Sequence, residues 1–221
     1  MDVLPTALHA AGLPWLGGQL LVEVLLTTAA FVIALALRPW RCVGEQGPPW
    51  GWCAVWAAVA VLWGSVPGSG VLRPMTGVTL LVLMAGWPLA VLAMLPAALL
   101  AALGGSLPWY EALQRLVWVG LVPATCVLAA GAAVRRWLPH HLFAYILGRG
   151  FLGTLLASAL AGAALLLASP PPWRVAGLDL MVANLLVAMG EASICATLIA
   201  ILVFVRPTWL ATFSERLYRL P

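Results

Sequence analysis

Long apolar runs dominate this chain, and most are about as long as a helix that crosses a bilayer. Such a helix needs about 20 mostly apolar residues. Leu16–Leu37, Leu116–Val134, Leu142–Ala168 and Leu178–Val205 fit that requirement. Trp50–Val66 is shorter and rich in tryptophan. Met75–Leu103 is divided by Gly86-Trp87-Pro88, and proline resists a straight helix through that point. It reads either as one kinked, tilted helix or as a hairpin of two short ones. Between the runs lie Arg38-Pro39-Trp40-Arg41, a Gly/Pro-rich loop from Gly44 to Pro49, Pro67-Gly68-Ser69-Gly70, Arg135-Arg136, Ser169-Pro170-Pro171-Pro172 and Arg206-Pro207. Glycine and proline clusters of this kind stop helices.

Composition excludes a water-soluble domain. Of the 221 residues, 64% are hydrophobic and 8% charged, with a mean hydropathy of +1.06. A soluble domain carries about 25% charged residues. The expected fold is an all-α integral membrane protein, a polytopic bundle of roughly six or seven spans. It forms a single transmembrane domain over 1–221 and includes a broken or short pair at 75–103. The first apolar run contains Glu23 and has no basic stretch before it, which argues against a removable signal peptide.

All eleven basic residues are arginines, and the net charge is +4. They sit between apolar runs rather than in one patch, which favours membrane topology over nucleic-acid binding. With seven spans and the N-terminus outside, Arg38, Arg41, Arg135, Arg136, Arg206, Arg216 and Arg219 fall in the cytoplasm. Arg73, Arg115 and Arg174 then fall outside, in better accord with the positive-inside rule than six spans allow. Residues 208–221 carry Trp209, Phe213 and Tyr218 with Arg216 and Arg219, which suits a segment lying on the membrane surface. The twelve tryptophans read as an aromatic belt.

No G-x-x-x-x-G-K-[ST] occurs, so any energy for uphill transport must come from a partner or an ion gradient. No H-E-x-x-H, closely spaced Cys/His set or convergent nucleophile and base occurs either, so the chain reads as a non-enzyme without a cofactor. Cys42, Cys53, Cys126 and Cys195 form no C-x-x-C pair and read as small apolar fillers. His140-His141 reads as an interfacial anchor. Met84, Met94, Met181 and Met189 read as packing residues.

Charges inside a span are costly, which makes them functional leads. Glu191 lies in the middle of the last run, with Asn184 two helical turns earlier on the same face. Arg149 lies between Gly148 and Gly150. It can snorkel to the cytoplasmic face, or neutralise Glu191 across a depth difference of about 6 Å. Glu23, with Gln19 a turn before it, is the third lead. Glu191, Arg149, Asn184 and Glu23 are therefore expected to form a buried polar network, either in a transport pathway or as a structural ion pair. Weaker leads are Asp2, His9, Met75 and Thr76.

Several stretches resemble a known family. They are Arg73-Pro74-Met75-Thr76-Gly77-Val78-Thr79-Leu80-Leu81-Val82-Leu83-Met84 with Gly86-Trp87-Pro88, Leu138-Pro139-His140-His141-Leu142-Phe143-Ala144-Tyr145-Ile146, Gly190-Glu191-Ala192, and Arg206-Pro207-Thr208-Trp209-Leu210-Ala211-Thr212-Phe213. The pattern is similar to energy-coupling-factor ABC transporter permeases, distant relatives of CbiM-type cobalt and NikM-type nickel uptake subunits. The resemblance implies a substrate-binding S-component in the bacterial inner membrane. Such a subunit works with a coupling (T) subunit and cytoplasmic ATPases and takes a substrate such as a transition-metal ion. It also places the substrate site at the folded-in N-terminus and the start of the third helix, hence Asp2, His9, Met75 and Thr76. The metal-uptake subunits carry histidine where this chain has Asp2 and Met75, and nitrogen ligands suit nickel and cobalt better than a carboxylate and a thioether. The alternative is a non-transporting membrane accessory or assembly factor that has lost its metal-binding residues.

Overall fold

A computed structural model describes residues 14–39, 50–66, 73–104, 107–137, 141–168 and 177–213. Among these, all regular structure is helical. The helices are α1 (Pro14–Ala36), α2 (Trp50–Ser65), α3 (Val78–Ala85), α4 (Trp87–Leu103), α5 (Trp109–Trp137), α6 (Ala144–Leu167) and α7 (Gly177–Val205). A 3₁₀ turn, Pro207–Trp209, follows α7.

Within the described residues, α1, α5, α6 and α7 are long and apolar enough to cross a membrane. Helices α2 and α4 are apolar but shorter, at 16 and 17 residues. Their boundaries fall close to those of the apolar runs, because run length alone separates membrane helix from loop here. Outward-facing positions on these helices are themselves apolar, among them Leu21, Leu25, Val61, Leu156, Leu186 and Phe204. Water would reject such a surface; hydrocarbon accepts it.

The run 75–103 is two helices. Gly86 holds φ 85° and ψ 162° between them, a conformation open to glycine. Pro88 then sits in the first turn of α4, where a missing N–H costs nothing. Helix α3 has only 8 residues, about 12 Å, and cannot span alone. All of its residues are buried; it is apolar on every side because other helices surround it.

Helices α6 and α7 pack along one another. Gly150 permits the approach: a Cβ there would meet Ile199 Cδ1 at 3.1 Å and the Ala196 Cα at 3.4 Å. Ala157 and Ala161 are buried on the same helix. Small residues allow close helix contact where no hydrophobic driving force exists between helices.

Two sequence expectations change. The segment after α7 folds into the bundle rather than lying on its surface, as far as the described residues reach. Ala211 N–H donates to the Met84 carbonyl at 3.1 Å, and Thr212 N–H to that of Leu83 at 3.3 Å. These are last-turn carbonyls of α3, which have no partner within their own helix. Trp209 meets Trp50 edge-on at 4.9 Å, and Phe213 meets Tyr145 at 5.1 Å. Residues 214–221 lie outside the described residues. Second, Arg73 and Arg115 are buried, at 6% and 7% exposure, and do not act as loop charges. Arg115 donates to the carbonyls of Trp63 and Val66, closing the C-terminal end of α2.

Candidate functional site

The residues before α3 are extended, and Gly77 turns into the helix with φ 62°. A side chain at Gly77 would also meet Val59 Cγ2 at 2.6 Å. This turn presents the Gly77 N–H, an unsatisfied donor at the start of a helix, to the middle of α7. Glu191 receives it there: Gly77 N–H donates to Oε1 at 2.8 Å. Thr76 Oγ1 donates to the same oxygen. Ser158 Oγ of α6 donates to Oε2 at 2.7 Å.

Arg73 completes the cluster. Its Nη1 lies 3.9 Å from Glu191 Oε2. Its Nη2 donates to Ser158 Oγ at 2.6 Å and to the Ser158 carbonyl at 2.9 Å. Its Nε donates to Asn184 Oδ1 at 3.0 Å. Ser158 therefore links the two charges, accepting from Arg73 and donating to Glu191. Gly162 leaves the space the cluster needs: a Cβ there would lie 2.8 Å from Asn184 Oδ1 and 3.0 Å from Arg73 Nε. Both oxygens of the Glu191 carboxylate accept, and the guanidinium opposes its charge. A buried ion pair holds when hydrogen bonds saturate it in this way.

Beside this cluster lies a cavity of about 200 Å³. Its floor is made by Met75, Gly77, Thr79, Leu80, Glu191 and Cys195. Val55, Ala58, Val59 and Leu62 of α2 form one wall, and Ile194 and Leu198 of α7 the other. Ala58, Leu62, Ile194 and Leu198 are exposed on the outer surface of the bundle. The mouth therefore opens sideways, at the apolar outer surface of the bundle, between α2 and α7.

The sequence-nominated residues divide as follows. Glu191, Asn184 and Thr76 belong to the cluster, and Met75 lines the cavity. Arg149 stands elsewhere: its Nη1 donates to the Thr212 carbonyl at 3.2 Å, and its guanidinium lies 5.8 Å over the Tyr145 ring. Gly131 of α5 faces it, so closely that a Cβ there would lie 2.5 Å from Arg149 Nη2. Arg149 anchors the segment after α7, while Arg73 meets Glu191. Glu23 is 2% exposed and sits at the α1–α5 contact, accepting from Trp118 Nε1 at 2.8 Å. Asp2 and His9 lie outside the described residues.

Sequence reasoning missed Arg73, Ser158 and Gly162 as site residues. Arg73 follows a Gly/Pro break and reads as a loop charge. Ser158 and Gly162 stand four residues apart in an apolar run, one turn on the same helix face, a weak signal seen only once the face is known. Among the described residues, no group of three or more His, Cys, Asp or Glu gathers as a metal site would require. Comparison with protein-family models, with curated proteins and with solved structures finds no match to this chain.

Proposed function

We propose that the chain is the substrate-binding membrane subunit of an importer of the energy-coupling-factor type. In this reading it resides in the bacterial inner membrane, with its N-terminus outside and its C-terminus inside. A coupling subunit and cytoplasmic ATPases supply the energy. The observation that carries the reading is the discontinuous element at residues 73–86 beside a cavity. Non-helical backbone within a bilayer persists only where protein buries it or where it lines a cavity. Transporters build their sites from such interrupted helices, with half-helix N-termini facing negative charge. In this chain the negative charge at such an N-terminus is its own Glu191, which accepts from Gly77 N–H.

Binding rather than bond-making chemistry suits the site. Glu191 accepts three hydrogen bonds and faces Arg73, so a proton relay to a substrate would have to break those contacts. Cobalt or nickel as cargo would draw its ligands from Asp2, His9 and Met75, because Glu191 already faces a cation. The test is co-expression with candidate coupling and ATPase subunits, followed by co-purification and uptake. ATP-dependent uptake lost in an Ala58→Trp variant that still assembles supports the reading. Assembly with those subunits but no ATP-dependent uptake overturns it. Metal titration of wild type beside Asp2→His reports whether the cargo is an ion.

A second reading is a membrane accessory factor without transport. It is favoured by the saturation of the Arg73–Glu191 cluster, which is what a purely holding element requires. Stable co-purification with an assembly partner, with no uptake, would select it.

A further inference from the structure

Among the described residues two carboxyl groups are buried, those of Glu23 and Glu191, and they are held differently. Glu191 accepts from Thr76, Gly77 and Ser158 and faces Arg73. Glu23 has one donor, Trp118 Nε1 at 2.8 Å; among the described residues its carboxyl makes no other hydrogen bond and no ion pair. A buried carboxylate that only holds helices together needs the first kind of setting, because an uncompensated charge is costly.

The helix that carries Glu23 offers it little else. Helix α1 is long and apolar enough to cross a membrane, yet 11% of its spanning window is buried, against 39% to 44% in α5, α6 and α7. Val22, Val24, Leu25 and Leu26 beside Glu23 are exposed and apolar. Gln19, Glu23, Thr27, Ala30, Phe31 and Ala34 form the buried or half-buried stripe, at helical spacing. Helix α1 packs chiefly on α4 and α5. Helix α4 contains no titratable residue. On the first half of α5 the titratable groups are Tyr110, Glu111 and Arg115. Tyr110 donates to Glu111 at 3.1 Å, and Arg115 is turned to the Trp63 and Val66 carbonyls at the end of α2. Cys126, Arg135 and Arg136 lie two or more turns beyond Trp118.

This setting decides what Glu23 can bind. An ionised carboxylate among apolar groups, with one neutral donor, takes up a proton rather than stay charged. A metal cation would need several oxygen ligands. Thr27 Oγ1, one turn along the stripe, is committed to the Glu23 backbone carbonyl at 2.8 Å, and helix carbonyls are committed to their own N–H groups. A proton needs a single oxygen, and Oε2 has no hydrogen bond to give up.

We propose that Glu23 is an intramembrane proton-binding site, neutral while α1 rests on Trp118. Loss of the proton sets an uncompensated charge at the contact of the least buried of the four long helices, so proton binding and the seating of α1 are linked. The inference does not depend on the transport reading.

The test uses the full-length purified protein in nanodiscs of zwitterionic lipid. Dicyclohexylcarbodiimide adds the O–H of a neutral carboxyl across one of its C=N bonds, and mass spectrometry maps the adduct. At neutral pH Glu23 should be labelled and Glu191, held by Arg73, should not. With rising pH the labelling rate should reach a regime where it falls about tenfold per unit, as the neutral fraction does. Trp118→Phe removes the donor that favours the charged form, so its labelling should persist to a pH about one unit higher. Infrared spectra should show a protonated-carboxyl band that is missing in Glu23→Gln, a mimic of the neutral acid. Should Glu23→Gln aggregate, the alkaline shift in Trp118→Phe decides alone.

Glu23 unlabelled from mildly acidic to mildly alkaline pH, with an ionised-carboxylate band in its place, would overturn the proposal. So would a pH profile unchanged by Trp118→Phe. Protection from labelling by sodium chloride, but not by choline chloride of equal strength, would make the ligand a metal cation and overturn it too. Uptake measurements bear on the transport reading alone.

Discussion

A guanidinium and a carboxylate placed together away from water are each costly to leave alone, so removing one exposes the other. Arg73→Leu is expected to destabilise the protein by about 3–5 kcal/mol, as for other broken buried pairs. Arg73→Leu combined with Glu191→Leu should recover much of that loss. Detergent-driven unfolding in mixed micelles, followed by tryptophan fluorescence, would measure the coupling; strictly additive losses would refute the pairing. Ser158→Ala removes a link rather than a charge and should cost less, about 0.6 kcal/mol on average and up to about 1.7 for interhelical hydrogen bonds in membranes. Glu191 was legible in the sequence, because a carboxylate in mid-span demands an explanation. Its partner was not. Depth along a helix can be counted from residue numbers, which made Arg149 a match. Azimuth cannot, and the faces that meet at Glu191 bring in Ser158, Asn184 and the extended residues before α3.

Helices make the cluster possible by where they stop. Gly86 and Gly77 both hold positive φ; at φ 85° and ψ 162° Gly86 occupies a region essentially closed to residues with a Cβ, so Gly86→Ala is expected to cost about 1–3 kcal/mol from backbone strain alone. Gly162→Ala keeps a favourable helical backbone but would press on Asn184 and Arg73. It should therefore lower stability in wild type and do so less in the Arg73→Leu background. Equal effects in both backgrounds would show that Gly162 has no bearing on the cluster. Helices were readable at this scale because long apolar runs have few other solutions, and Gly86-Trp87-Pro88 announced the break. The placement of Pro207–Phe213 was not readable. An aromatic, moderately polar tract looks the same lying on a membrane or tucked beneath one, and only unpaired carbonyls at the end of α3 decide between them.

The whole molecule is a bundle with a buried half-helix, α3, surrounded by longer rods. It is expected to stay with the membrane fraction through alkaline carbonate washing; release into the supernatant would contradict the spanning helices. Hydrogen exchange should be slow at Ala211 and Thr212 despite their position outside any long helix, because their N–H groups close on Leu83 and Met84. Exchange there as fast as in a loop would show that the closure does not form.

That closure imposes an order on biogenesis. The residues that complete α3 follow all seven described helices, so every one of those helices must be made before the centre of the first half can be finished. A ribosome arrested after Arg206 would leave a nearly whole bundle carrying two bare carbonyls in an oily interior, a ready signal for a membrane protease to distinguish unfinished chains from mature ones.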